Sequence, residues 1–214
     1  MEDRIARNEE RVNAVSHGIG ACLSVYGLIL LLQRSALFGD GLYTLSNIIF
    51  GTSFCLLYMS STLLHGVRSP KWGRRFERMD HAAIFIAMAG SYTPFLLITW
   101  HSRMATELLI VIWALAFGGV RYVHLIIQRF MPWGLLFYLG MGGFMMIFFV
   151  PLYVRLPQMA FTWLGLGMLS YILGVPFFLW RKLRYHHAIW HLFVLAGSVC
   201  HFIAVYSYVM PAIL

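Results

Sequence analysis

Two histidines stand four residues apart in the stretch YHHAIWHLFVLAGSVCH, residues 185–201, at the head of an apolar run that continues to Leu214. On a helix His187 and His191 fall one above the other on a single face, roughly 6 Å apart along the axis. Two imidazoles so placed can share one metal ion, but two ligands are rarely enough. The chemistry therefore turns on which other donors reach the same depth.

Three further residues qualify. SSTLLHGV puts Ser61 and His65 at i and i+4 near the end of another apolar segment. Asp80 opens the next one, as MDHAAIF, directly after the most basic loop of the chain, VRSPKWGRRFERM. A carboxylate at a helix N-terminus can be a cap favoured by the macrodipole. An acid that begins an apolar span is also costly and is commonly functional, which favours a functional Asp80. His81 points about 100° away from it on a helix. Glu10, Asn13 and His17, at i, i+3 and i+7, share a face of the first apolar segment. Interhelical hydrogen bonding accounts for Glu10 and Asn13, while for His17 that role and a functional one stay equally open.

These residues need elements to position them. The chain has 214 residues, 60% hydrophobic and 11% charged, with a mean hydropathy of +0.75. That leaves too little polar surface for a soluble globule of this size. Spans of about 20 apolar residues are centred on Ala14 to Leu32, Tyr43 to Leu64, Ala82 to Trp100, Thr106 to Ile126, Trp133 to Tyr153, Phe161 to Trp180 and Ala188 to Met210. The expected fold is an all-α membrane protein, a seven-transmembrane helix bundle forming a single domain over residues 1–214. Residues 1–11 make a short N-terminal tail or an interfacial helix. Tyr92, Thr93 and Pro94 in GSYTPF are architectural, a proline bend with a threonine beside it to satisfy a freed carbonyl.

Thirteen basic residues fall on the side of the N-terminus and three on the other, Arg34, Arg103 and Arg155. The positive-inside rule then makes the N-terminus cytoplasmic and places the C-terminus across the membrane. The net charge of +8 reflects this topology and contacts to anionic lipid, rather than nucleic-acid binding. Cys22, Cys55 and Cys200 each lie inside a span, show no CxxC spacing and read as buried small apolar residues. No cleavable signal is expected, so the first segment stays as a helix.

In this topology the second helix returns to the side from which the third and seventh start. Ser61 and His65, Asp80, and His187 with His191 therefore meet at one leaflet. Three neutral imidazoles with an open fourth position match a zinc site of the catalytic type. His201, ten residues beyond His191, lies roughly 15 Å deeper, too far for the same ion, and is expected to hydrogen-bond within the bundle.

SxxxH at Ser61 to His65, Asp80 after the basic loop, GSYTPF, and HxxxH at His187 to His191, in a seven-helix layout, resemble the bacterial hemolysin III branch of the progestin and adipoQ receptor family. The resemblance runs from about Glu10 to Tyr208. It implies a bacterial inner membrane protein with zinc held by His65, His187 and His191 at the cytoplasmic side, Asp80 holding water at the metal, and Ser61 close by. The related adiponectin receptors and alkaline ceramidases are associated with hydrolysis of lipid amides, whereas the bacterial branch is named for haemolysis.

The leading expectation is a zinc-dependent hydrolase of a membrane lipid's amide or ester bond, with Asp80 taking a proton from water and Ser61 donating a hydrogen bond to water or oxyanion. A non-enzymatic membrane regulator with a structural zinc between the second and seventh helices is the competing class. Pore formation fits less well, because no segment carries a charged stripe.

Overall fold

A computed structural model describes residues 2–129, 137–138, 140–144 and 149–209. The elements are α1 (Glu2–Phe38), α2 (Gly41–Gly66), α3 (Pro70–Pro94), α4 (Arg103–Arg129), α5 (Phe149–Tyr153), α6 (Gln158–Leu179) and α7 (His186–Ala204). Among the described residues there is no strand, and six helical stretches are long and apolar enough to cross a membrane. The expected span from Trp133 to Tyr153 falls largely outside the described residues, apart from α5 and short pieces before it.

The N-terminal tail is not separate from the first span. No glycine or proline interrupts residues 2–17, and their glutamates, arginines and alanines favour helix. α1 therefore runs unbroken from Glu2 and carries its polar first turns alongside the end of α2. It stops at Gly39, whose φ of +65° is the left-handed conformation that glycine adopts at a helix end. Asp40 then starts α2 by accepting hydrogen bonds from the backbone N–H groups of Leu42 and Tyr43 at 2.7 and 3.3 Å. The result is a tight antiparallel pair.

α3 begins at Pro70, the first-turn position that tolerates proline. Its residues are the most deeply packed: 56% of its most apolar stretch is buried, against 17% for α4 and α6. Small residues Ala83, Ala87, Ala89 and Gly90 allow this. At Gly90 a Cβ would collide with Cβ and Oγ of Ser53 on α2, so glycine sets how closely the two helices approach. After Pro94 the helix widens to a π-helical turn, Phe95–Trp100, because proline lacks an N–H and its ring displaces the preceding turn. Thr93 behaves as an architectural residue: its hydroxyl donates to Ala89 O at 3.0 Å and accepts from Trp113 Nε1 at 3.3 Å.

α2 and α7 are linked through Tyr58, whose hydroxyl donates to Ser198 Oγ at 2.6 Å. Tyr171 of α6 reaches the same serine at 3.2 Å. The three cysteines are unpaired, but Cys22 lies on the exposed face of α1 rather than in the core. A thiol is apolar enough for a lipid-facing position as well as a buried one.

Candidate metal centre

The end of α2 and the start of α7 bring His65, His187 and His191 together. One ligand atom from each lies within 4.8 Å of the others. Ring centroids are 5.1 Å apart for His65 and His187, 5.2 Å for His65 and His191, and 4.5 Å for His187 and His191. A tetrahedral ion with ligand distances near 2.0–2.1 Å spans about 3.4 Å between donors, so small rotations of the rings would close the set. His191 is fully buried, and the other two are partly so.

The rings are not free to turn at will. Nδ1 of His65 lies 2.8 Å from the Glu10 carboxylate of α1, while its Nε2 is buried without a hydrogen-bond partner. Nδ1 of His191 lies 2.9 Å from the Ser16 hydroxyl, also on α1. An orphaned ring nitrogen in a cluster of three imidazoles is what a metal ligand looks like when its ion is left out of account. Nitrogen donors only, with no thiolate, suit zinc. The residues present thus fit a zinc ion.

Asp80 sits well inside α3, about 15 Å along the helix from Pro70. This removes the helix-cap alternative, since the helix starts ten residues earlier. Its carboxyl has the Ser61 hydroxyl as hydrogen-bonding neighbour and lies within electrostatic reach of the His65 ring. Ser61 is buried on α2 and Asp80 is half-buried. The five site residues expected from sequence therefore stand on three helices that meet at one end of the bundle. His81 pairs with the Tyr138 hydroxyl at 3.0 Å.

α1 takes a larger part in the centre than the spacing of its polar residues suggests. Glu10 does not merely join helices; it contacts a candidate ligand, and the Asn13 side chain hydrogen-bonds it from the same helix. Ser16 carries no signal in the sequence, because a serine in an apolar helix ordinarily bonds its own backbone. It does so here too, donating to Asn13 O at 2.9 Å, and it faces His191 at the same time. Glu9 accepts from the backbone N–H of Tyr185 at 3.0 Å, where Tyr185 precedes α7 in a left-handed conformation with φ of 59°. His17 stacks on His191 with centroids 3.4 Å apart, and among the described residues neither of its ring nitrogens has a hydrogen-bond partner. His201 is buried against the edge of Tyr171, and among the described residues its Nδ1 also lacks a hydrogen-bond partner.

The family model described as "Haemolysin-III related" matches residues 5–202. Hemolysin-3 of Bacillus cereus is 43% identical over 203 residues, covering 95% of this chain and 93% of that protein. The hemolysin-3 homolog of Bacillus subtilis (strain 168) is 42% identical over 200 residues, covering 94% of each. Human monocyte to macrophage differentiation factor is 31% identical over 209 residues, covering 94% of this chain and 84% of that protein. A match of this extent agrees with the resemblance carried by SxxxH, Asp80 and HxxxH, and the chain belongs to the haemolysin-III-related family of membrane proteins.

Proposed function

We propose that the chain is a single-domain, seven-span protein of a bacterial inner membrane, with a cytoplasmic N-terminus, that binds zinc through His65, His187 and His191 and hydrolyses an amide or ester bond of a membrane lipid. The observation that carries this reading is the approach of three imidazoles within 4.8 Å of one another, with the Asp80 carboxyl beside His65 and Ser61. The basic residues clustered at the same end of α3 as Asp80 support the cytoplasmic assignment of the site.

When bound, zinc supplies a Lewis acid and lowers the pKa of water toward neutrality. The protein supplies the rest. Asp80 is the proton acceptor, held by the Ser61 hydroxyl so that one oxygen stays oriented. Once Asp80 carries a proton it no longer needs that hydrogen bond, and the Ser61 O–H becomes available to a developing oxyanion. Exposed Val12, Val15, Met59 and Leu63 on the outer faces of α1 and α2 give acyl chains an apolar approach at this depth.

In a second reading the metal only staples α2 to α7, the two helices that carry the three clustered imidazoles. Turnover of lipid amides and esters by the zinc-loaded protein in mixed micelles separates the two. Products that form with the unmodified protein and not with Asp80→Ala, metal content being equal, support hydrolysis. Metal-dependent stability without any product supports the staple.

A further inference from the structure

Each of two contacts from α1 determines which nitrogen of a candidate ligand carries the proton. A carboxylate has no hydrogen to give, so the 2.8 Å contact between Glu10 Oε2 and His65 Nδ1 requires Nδ1–H as the donor. The lone pair of His65 is then on Nε2, the atom left buried without a partner. Ser16 has a single hydroxyl proton, and it is directed to Asn13 O at 2.9 Å. Toward His191 the same oxygen can only accept, so Nδ1 of His191 is the donor at 2.9 Å. The ring also meets the backbone of Asn13, whose carbonyl is again an acceptor.

We infer that Glu10 and Ser16 are positioning residues that lock His65 and His191 as Nδ1–H tautomers, presenting both Nε2 lone pairs to the ion; this rests on the zinc reading given above. In water a neutral imidazole exchanges between tautomers, and a ring that must change tautomer and orientation before binding has a correspondingly weaker apparent affinity. Outer groups that accept the remote N–H of a ligand remove that cost, and their loss typically weakens metal affinity about 10–100-fold. The arrangement makes α1, which supplies no ligand, part of the centre: Glu10 reaches the last turn of α2, Ser16 the second turn of α7, and Glu9 the backbone at the head of α7.

The test reads the tautomers without relying on metal. The full-length protein, labelled with 15N-histidine and purified metal-free in micelles, is examined by long-range 1H–15N correlation, with ring signals assigned through His65→Ala and His191→Ala. Nδ1–H is expected at both positions. Glu10→Ala should shift His65 alone toward Nε2–H, Ser16→Ala should shift His191 alone, and Glu10→Gln should keep the His65 tautomer because its carbonyl oxygen still accepts. Zinc titrations of the same proteins should show an affinity loss of about 10–100-fold for each alanine variant and a much smaller one for Glu10→Gln. Nε2–H at either histidine of the unmodified protein, or tautomers indifferent to both alanine variants, would overturn the inference even if zinc binds tightly. The expected tautomers in a protein that binds no zinc would leave the inference standing and remove the zinc reading instead.

Discussion

His65, on the last turn of α2, and His191, in the second turn of α7, stand with ring centroids 5.2 Å apart, though neither helix follows the other in the chain. Among the described residues no backbone–backbone hydrogen bond joins one helix to another, so this proximity is held by side-chain packing and by groups on α1. A metal bound here would tie the first half of the protein to the last. Four predictions follow from the arrangement, each measurable on the detergent-purified chain.

Metal should stabilise the fold. A ligand that binds only the folded state adds about 4 kcal/mol when its free concentration is 1,000 times its Kd. Thermal unfolding is expected to shift down when a chelator is added, and His187→Ala should unfold at the lower temperature with or without chelator. Equal melting of the unmodified protein in both conditions would argue against any metal link between α2 and α7.

Asp80→Asn keeps the shape of the side chain but removes its capacity to take a proton. Because Asp80 is not among the three clustered imidazoles, zinc content should be retained while lipid hydrolysis falls about 10²–10⁴-fold, the range usual for loss of a general base. Parallel loss of metal and turnover would make Asp80 part of the binding set rather than an acid–base group.

Zinc retention should depend on pH in one direction. Each imidazole ligand must be neutral to bind, so protons compete with the ion, and affinity rises with pH and falls on acidification. With three such ligands the fall at the acid end should be steeper than about tenfold per pH unit. Zinc remaining after dialysis across a pH series gives the slope, and a flat profile would show that the histidines do not hold the ion.

The α2–α3 contact should be intolerant of one added carbon. Gly90→Ala places a Cβ against Ser53 Cβ and Oγ, and Ser53 is itself tied to Phe50 O at 2.7 Å. Overpacking of this kind costs about 1–3 kcal/mol, visible as a lower unfolding temperature. Since Ser61 and Asp80 lie on the same two helices, turnover should decline as well.

Much of this was legible in the sequence because a membrane simplifies the problem. Apolar length locates helices, and the distribution of arginines suggests which ends share a side. Spacing alone put Ser61 with His65 and His187 with His191, and chain reversal brought the two pairs to one level. What spacing cannot supply is azimuth between helices. Nothing in residues 2–20 says that Glu10 faces His65 or that Ser16 faces His191, because those contacts depend on how α1 rotates against α2 and α7. Nor could the start of α3 be read from hydropathy: the polar residues from Pro70 to Arg78 are helical, so Asp80 looks like a helix start only to a criterion that begins where the apolar residues do.

The central claim is that His65, His187 and His191 form one metal site, and the most direct measurement is the metal content of the protein purified without chelators. Plasma mass spectrometry should find about one zinc per chain, reduced to background in His65→Ala, His187→Ala and His191→Ala while each variant stays folded and monodisperse. An unmodified protein that carries no metal after zinc is added and the excess dialysed away would contradict the account and return the three histidines to packing between helices.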